Sequence, residues 1–169
     1  MLRFLFGGLT DRQKPAQALF DRVVEEARQP HWYMEGQVPD TLEGRFAMLA
    51  TICALAIVRL EAQQDSGHGS AALTERFIEA MDAEHRQMGM NDPALGKRVR
   101  KLVGALARRT GQWRQAVCEE ADWSSVTRSS VYRNEQPWAE AVACTAEALR
   151  RIWDHLERAT NEELREGQF

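Results

Sequence analysis

The sequence has no hydrophobic run long enough to cross a bilayer. The longest, Phe46 to Val58, covers 13 residues and includes Thr51. A transmembrane helix needs about 20, so this stretch reads as a core helix. Cysteine is scarce and odd in number. Cys53, Cys118 and Cys144 stand far apart with no CxxC, which signals neither a disulfide framework nor a zinc site. Each lies in an apolar helical context where a buried thiol acts as a small hydrophobe, favouring a reducing compartment. Excess charge is missing too. A net charge of −3 gives no general pull toward nucleic acid or anionic lipid, and DNA is not an expected partner.

Catalytic signatures are also absent. There is no GxSxG, and no cysteine stands beside a histidine. The GHG at 67–69 has neither the preceding strand nor the following helix start that a phosphate loop requires, and reads as linker. A di-iron bundle needs two Glu-x-x-His pairs and two further glutamates. Here Asp82 and His85 form a single Asp-x-x-His pair, while Glu119 beside Glu120 and Asp154 beside His155 do not share a helix face. The expectation is a non-enzyme without metal or cofactor.

What is present is helical periodicity. Pro15 suits a first helical turn, and Leu19, Phe20, Val23, Val24 and Ala27 follow at i, i+3, i+4 spacing until Pro30. A second helix is expected over about 41–64, with Asp40 and Glu43 resembling a capping pair and Thr41 an alternative cap. DSGHGS at 65–70 reads as a flexible linker. A third helix over about 71–88 places Leu73, Phe77, Ile78, Met81 and Met88 on one stripe, with Gly89 as its C-terminal stop. A fourth runs from Pro93 to about Val117, with Val99, Leu102, Val103 and Leu106 inward. A shorter stripe carries Trp123, Val126, Val131 and Tyr132. The last helix opens at Pro137 and buries Trp138, Ala141, Val142, Thr145, Leu149, Ile152, Trp153 and Leu156.

No alternating strand pattern or internal repeat accompanies these. The reading is an all-α, single-domain bundle of about six to seven helices. Residues 1–12 form a flexible apolar N-terminus, 13–160 the helical domain and 161–169 a polar C-terminal tail. With 169 residues, 44% of them hydrophobic, the domain can bury roughly 70% of its unfolded surface and needs no covalent staple. The start, MLRFLFGGL, lacks the apolar core and cleavage site of a signal peptide, and is free to dock on the domain or on a bilayer surface.

Two stretches stand out. Residues 30–34, Pro-His-Trp-Tyr-Met, crowd Trp32, Tyr33 and Met34 into a short connection. They either fold back onto the helices near Phe46 or present an apolar surface to a partner. Further on, Lys97, Arg98, Arg100, Lys101, Arg108, Arg109 and Arg114 give seven cations with no acid between Asp92 and Glu119. This basic run is either a solvated face or a contact for an anionic partner, such as RNA, lipid headgroups or an acidic loop.

These stretches carry a resemblance. QPHWYMEGQVPDTLEGRF is similar to a Pro-x-aromatic-Tyr…Val-Pro-Asp-Thr…Gly-Arg-Phe pattern, on Pro30, Trp32, Tyr33, Val38, Pro39, Asp40, Thr41, Gly44, Arg45 and Phe46. AMDAEHRQMGMNDPALGKRVRKL is similar to a Met-Asp…Arg-x-Met-Gly…Asp…Lys-Arg-Val segment, on Met81, Asp82, Arg86, Met88, Gly89, Asp92, Lys97, Arg98 and Val99. Both belong to the ubiquinol–cytochrome c chaperone family, helical assembly factors of the cytochrome bc1 complex. The resemblance spans about residues 15–135, in order. His85, Pro93, Gly96 and Gln112 depart from the pattern. Without the long N-terminal extension of mitochondrial members, the chain resembles the compact bacterial form.

The resemblance implies a chaperone that binds newly made cytochrome b and assists bc1 biogenesis. It implies a cytoplasmic location with peripheral contact at the inner membrane, and the ribosome or an anionic membrane surface as further contacts. Client-binding candidates are Trp32, Tyr33, Met34, Met88 and Met90. Pro39, Asp40, Arg45, Phe46, Asp82, Gly89 and Asp92 are expected to serve the fold. The basic patch comprises Lys97, Arg98, Arg100, Lys101, Arg108 and Arg109. The competing reading is a generic helical adaptor that binds a soluble protein or RNA through the basic helix.

Overall fold

The computed structural model describes residues 14–63, 68–87, 95–119, 121–133 and 135–169. Among these there is no strand. Eight α-helices and one π-helical turn follow in order: α1 (Gln17–Ala27), α2 (Pro30–Met34), α3 (Leu42–Ala62), α4 (His68–Gln87), α5 (Leu95–Cys118), α6 (Trp123–Thr127), the π-helical turn Arg128–Tyr132, α7 (Ala139–Arg158) and α8 (Asn161–Arg165). The expected N-terminal stretch 1–12, the capping Gly89, and Met88, Met90, Asp92 and Pro93 lie outside the described residues.

The apolar run identified in the sequence becomes α3, buried without a break from Ala47 to Leu60. A helix apolar on every side has to be enclosed, and α1, α4, α5, α7 and the π-helical turn all pack on it. Its N-cap is Thr41 rather than Asp40: Thr41 Oγ1 accepts from the Gly44 backbone N–H at 3.2 Å. The first turn sits very close to the incoming chain. A Cβ at position 44 would lie 1.9 Å from Pro39 O, so only glycine fits there.

Several expectations change. The connection at 30–34 is a short helix, opened by Pro30 in the first turn, where its missing N–H costs nothing. Helix α4 begins at His68, inside the expected linker. Trp138 precedes the first turn of α7 and is 72% exposed, not buried. Val103 is also exposed. Of the cysteines only Cys53 is buried; Cys118 and Cys144 face solvent. Within the polar C-terminal stretch, Asn161–Arg165 form the short helix α8. Thr160 and Glu163 form a reciprocal capping box, and Leu164 is fully buried.

Arg59 ties this last helix down. The residue is only 3% exposed, and its guanidinium donates to Leu156 O, Ala159 O and Asn161 Oδ1. The open carbonyls at the end of α7 thereby find donors inside the protein.

Candidate functional site

Helices α1 to α5 surround an open groove of about 1260 Å³. Its floor is apolar: Phe20 and Val24 from α1, Phe46 and Leu49 from α3, Met81 from α4 and Leu102 from α5. Phe20, Leu49, Met81 and Leu102 keep only a sliver of accessible surface. Two large apolar side chains stand at its edge, Met34 (73% exposed) and Leu42 (47% exposed). Charged groups complete the lining, among them Asp40, Glu43 and Arg45 near the start of α3 and Lys97 and Lys101 on α5.

The three bulky residues of α2 have different fates. Trp32 is fully buried, and its indole Nε1 donates to Glu26 O at 2.8 Å. It anchors the α1–α2 corner and offers no surface to a client, which removes it from the binding candidates. Tyr33 is half-buried along the groove, with its hydroxyl donating to Ala27 O at 2.8 Å. Burial pushes its phenol pKa up, against the opposing pull of the nearby Arg45 guanidinium. Met34 alone projects outward.

Of the residues expected to serve structure, Pro39 supplies the backbone against which Gly44 packs. Asp40 accepts from Arg45 Nε at 2.7 Å, and that hydrogen bond holds its carboxyl below the usual range. Both side chains are well exposed. Phe46 packs on Phe77 at 5.8 Å between ring centroids. Asp82 lies on α4, outside the groove lining.

The basic run divides. Lys97 and Lys101 face the groove, while Arg100 and Arg108 are exposed beyond it. Arg114 pairs with Glu61 across to α3. The side chain of Arg98 lies outside the described residues. Arg109 does not belong to the exposed patch, because it is only 2% exposed. Its Nε and Nη2 donate to Ser130 O at 3.2 and 3.0 Å, and Nη1 donates to Ala105 O at 3.3 Å. The guanidinium also lies 5.6 Å from the centre of the Phe46 ring. Burial, then the neighbouring Arg133 and Arg108 charges, brings its pKa down to about 10, so it stays charged at neutral pH.

Ser130, in the π-helical turn, also bonds through its side chain. Its hydroxyl accepts from Trp113 Nε1 at 3.1 Å and meets Thr51 Oγ1 at 2.8 Å. Close by, Tyr132 Oη donates to Gly36 O and lies 2.7 Å from Thr145 Oγ1. The loop after α2 is thus fastened to α7. Position 36 must be glycine, since a Cβ there would sit 2.5 Å from Thr145 Oγ1.

Sequence reasoning missed Phe20, Val24, Leu42 and Arg133 as parts of the site. The first two carried only the signal of an ordinary amphipathic helix. Arg133 carried none, although its backbone adopts φ 51°, a conformation rare for residues other than glycine, asparagine and aspartate. Among the described residues no set of three His, Cys, Asp or Glu side chains is placed to hold a metal. Nor is any helix among them long and apolar enough to cross a membrane.

An open, apolar-floored groove on an all-α bundle is the form of a helical binding protein. The family model described as ubiquinol-cytochrome C chaperone matches residues 34–169, and the chain belongs to that family. Its class of role is therefore that of a chaperone in the assembly of the bc1 complex. The fold is similar to the crystal structure of the Cbp3 homolog from Brucella abortus, with a TM-score of 0.76 at 24% identity over 90% of this chain and 85% of that one. No curated protein matches the chain.

Proposed function

We propose that this chaperone holds newly made cytochrome b by seating one of its apolar segments in the groove. The observation that carries the reading is convergence. The two stretches that resemble the family are far apart in sequence, yet both reach this groove, the first through Tyr33, Met34, Asp40, Arg45 and Phe46, the second through Met81, Lys97 and Lys101. Burying apolar surface supplies most of the affinity in such a site, and the unbranched, polarizable Met34 and Met81 side chains adapt to varied client shapes. Trp32, Asp40 and Arg45 hold the walls. Arg100 and Arg108, exposed beyond the groove, are left to meet an anionic surface of the ribosome or of the inner membrane.

The test is photo-crosslinking from within the groove. A benzoylphenylalanine placed at Met34 or Leu42 of the tagged chain should crosslink to cytochrome b in detergent-solubilised membranes. The same probe at Arg151, exposed on α7, should not. Equal yields from all three positions, or none from the groove positions, would refute the reading. Recruitment is separable: R100E/R108E should lower the share of protein that sediments with ribosomes or phosphatidylglycerol vesicles, with the groove crosslinks intact.

A further inference from the structure

Taking the groove as the client site, we infer that the segment it receives is amphipathic and carries carboxylates along one edge, which pair with Lys97, Lys101 and Arg133. The groove is not evenly charged. Its carboxylates are contributed by α1 (Asp21), the start of α3 (Asp40, Glu43) and α4 (Glu84), whereas α5 contributes cations only. Arg133, just after the π-helical turn, adds to the α5 side. Among the described residues, none of Lys97, Lys101 and Arg133 has a carboxylate within ion-pair distance, so their charges are uncommitted. Behind them Arg109 is buried, charged and bonded only to carbonyl oxygens.

A purely apolar client would leave three cations on the groove wall without partners. Seating such a client would also strip them of water at a cost it could not return. Carboxylates on the client remove that penalty. Lys97 and Lys101 are one helical turn apart, about 6 Å along the axis, which sets the spacing of the matching acids. The pairing also gives direction. The acidic edge turns toward α5, because Glu43 and Glu84 on other elements repel it. Complementary charge of this kind fixes register and excludes wrong segments more than it adds raw affinity. Arg45 takes no part, being already engaged with Asp40, and Arg28, at the end of α1, is a further cation of the lining.

The test uses tagged full-length chaperone co-expressed with cytochrome b, recovered in mild detergent. Against wild type, K97E/K101E should reduce the recovered cytochrome b by roughly tenfold or more, a change equivalent to about 1.4 kcal/mol. K97R/K101R should restore recovery, R151E on the exposed face of α7 should not reduce it, and all variants should keep the wild-type melting temperature. R133E supplies the same test from a second element. Undiminished recovery with K97E/K101E and R133E, alongside a loss with M34D, would overturn the acidic edge and leave the groove reading standing. Loss of co-purifying RNA or phospholipid with cytochrome b unchanged would overturn it too, and assign the cations to that other anion. If wild type recovers no cytochrome b, both readings fall.

Discussion

Arg59 Nε donates to Leu156 O at 2.9 Å, joining two residues 97 positions apart in the chain. The bond ties the last turn of the central helix to the last turn of α7. The same guanidinium reaches Ala159 O and Asn161 Oδ1 and so fixes the start of α8. Burial lowers its pKa, partly offset by Glu157. R59M should therefore cost about 2–4 kcal/mol, since three charge-assisted hydrogen bonds go and buried carbonyls lose their donors. R59K, which keeps charge but not the fork, should recover only part. Urea denaturation measures both, and limited proteolysis should show the C-terminal helix cleaved first in R59M.

Trp32 makes a prediction that separates its structural part from the client site. W32A should lose about 3–5 kcal/mol, as expected for truncating a fully buried aromatic. W32F should lose less, mainly the hydrogen bond to Glu26 O. Cytochrome b recovery by W32F, measured well below its melting temperature, should match wild type. A binding loss in a fully folded W32F would contradict the anchoring role.

Glycines give effects of opposite sign. G44A drives a methyl into Pro39 O and should destabilise by about 1–3 kcal/mol through displacement of the first turn of α3. Within α5, a Cβ at Gly104 or Gly111 meets nothing within 4 Å. G104A and G111A should each add about 0.5–1 kcal/mol, the usual gain of alanine over glycine in a helix. Thermal melts of the three single variants decide this.

The thiols should divide two to one. Cys118 and Cys144 are exposed, and Cys53 is buried with its pKa pushed up to about 12 by desolvation. A thiol-specific dye at pH 8 should label two cysteines quickly and the third only on unfolding, because the reactive species is the thiolate. In the unfolded chain Cys53 ionises near its ordinary value of about 8.5. The raised native value therefore gives stability that is complete below that pH and declines as pH rises toward 12. C53A should flatten this part of the pH profile.

The long helices were legible because each carries a stripe wider than a turn, and α3 because it is apolar all round. Helix α2 was not, since five residues cannot display a period. The two buried arginines show the limit differently. Arg109 falls on the stripe Leu102, Leu106, Trp113, at helical spacing, and every member of that stripe is buried. Read by position it belongs inside; read by charge it joined the basic run, and charge misled. Arg59 closes the apolar run of α3 in the same manner. Thr160 and Glu163 spelled a capping box in plain view, whereas the exposure of Trp138 had no local sign. The groove itself depends on five helices meeting, which no window of sequence contains.

Two kinds of positive charge lie on this side of the protein, one lining the groove and one buried behind it, and salt will treat them differently. Lys97, Lys101 and Arg133 stand in solvent, where counterions at physiological strength fade their reach within about 8 Å. Arg109 lies beneath Phe46 and beside Ala105, sealed from those counterions. Its field enters the cleft through low-dielectric protein, where screening is far weaker. A high-salt wash should consequently slow the capture of an acidic segment more than it loosens one already seated. On the acidic-edge pairing inferred above, the groove would have a salt-sensitive entrance and a salt-tolerant grip.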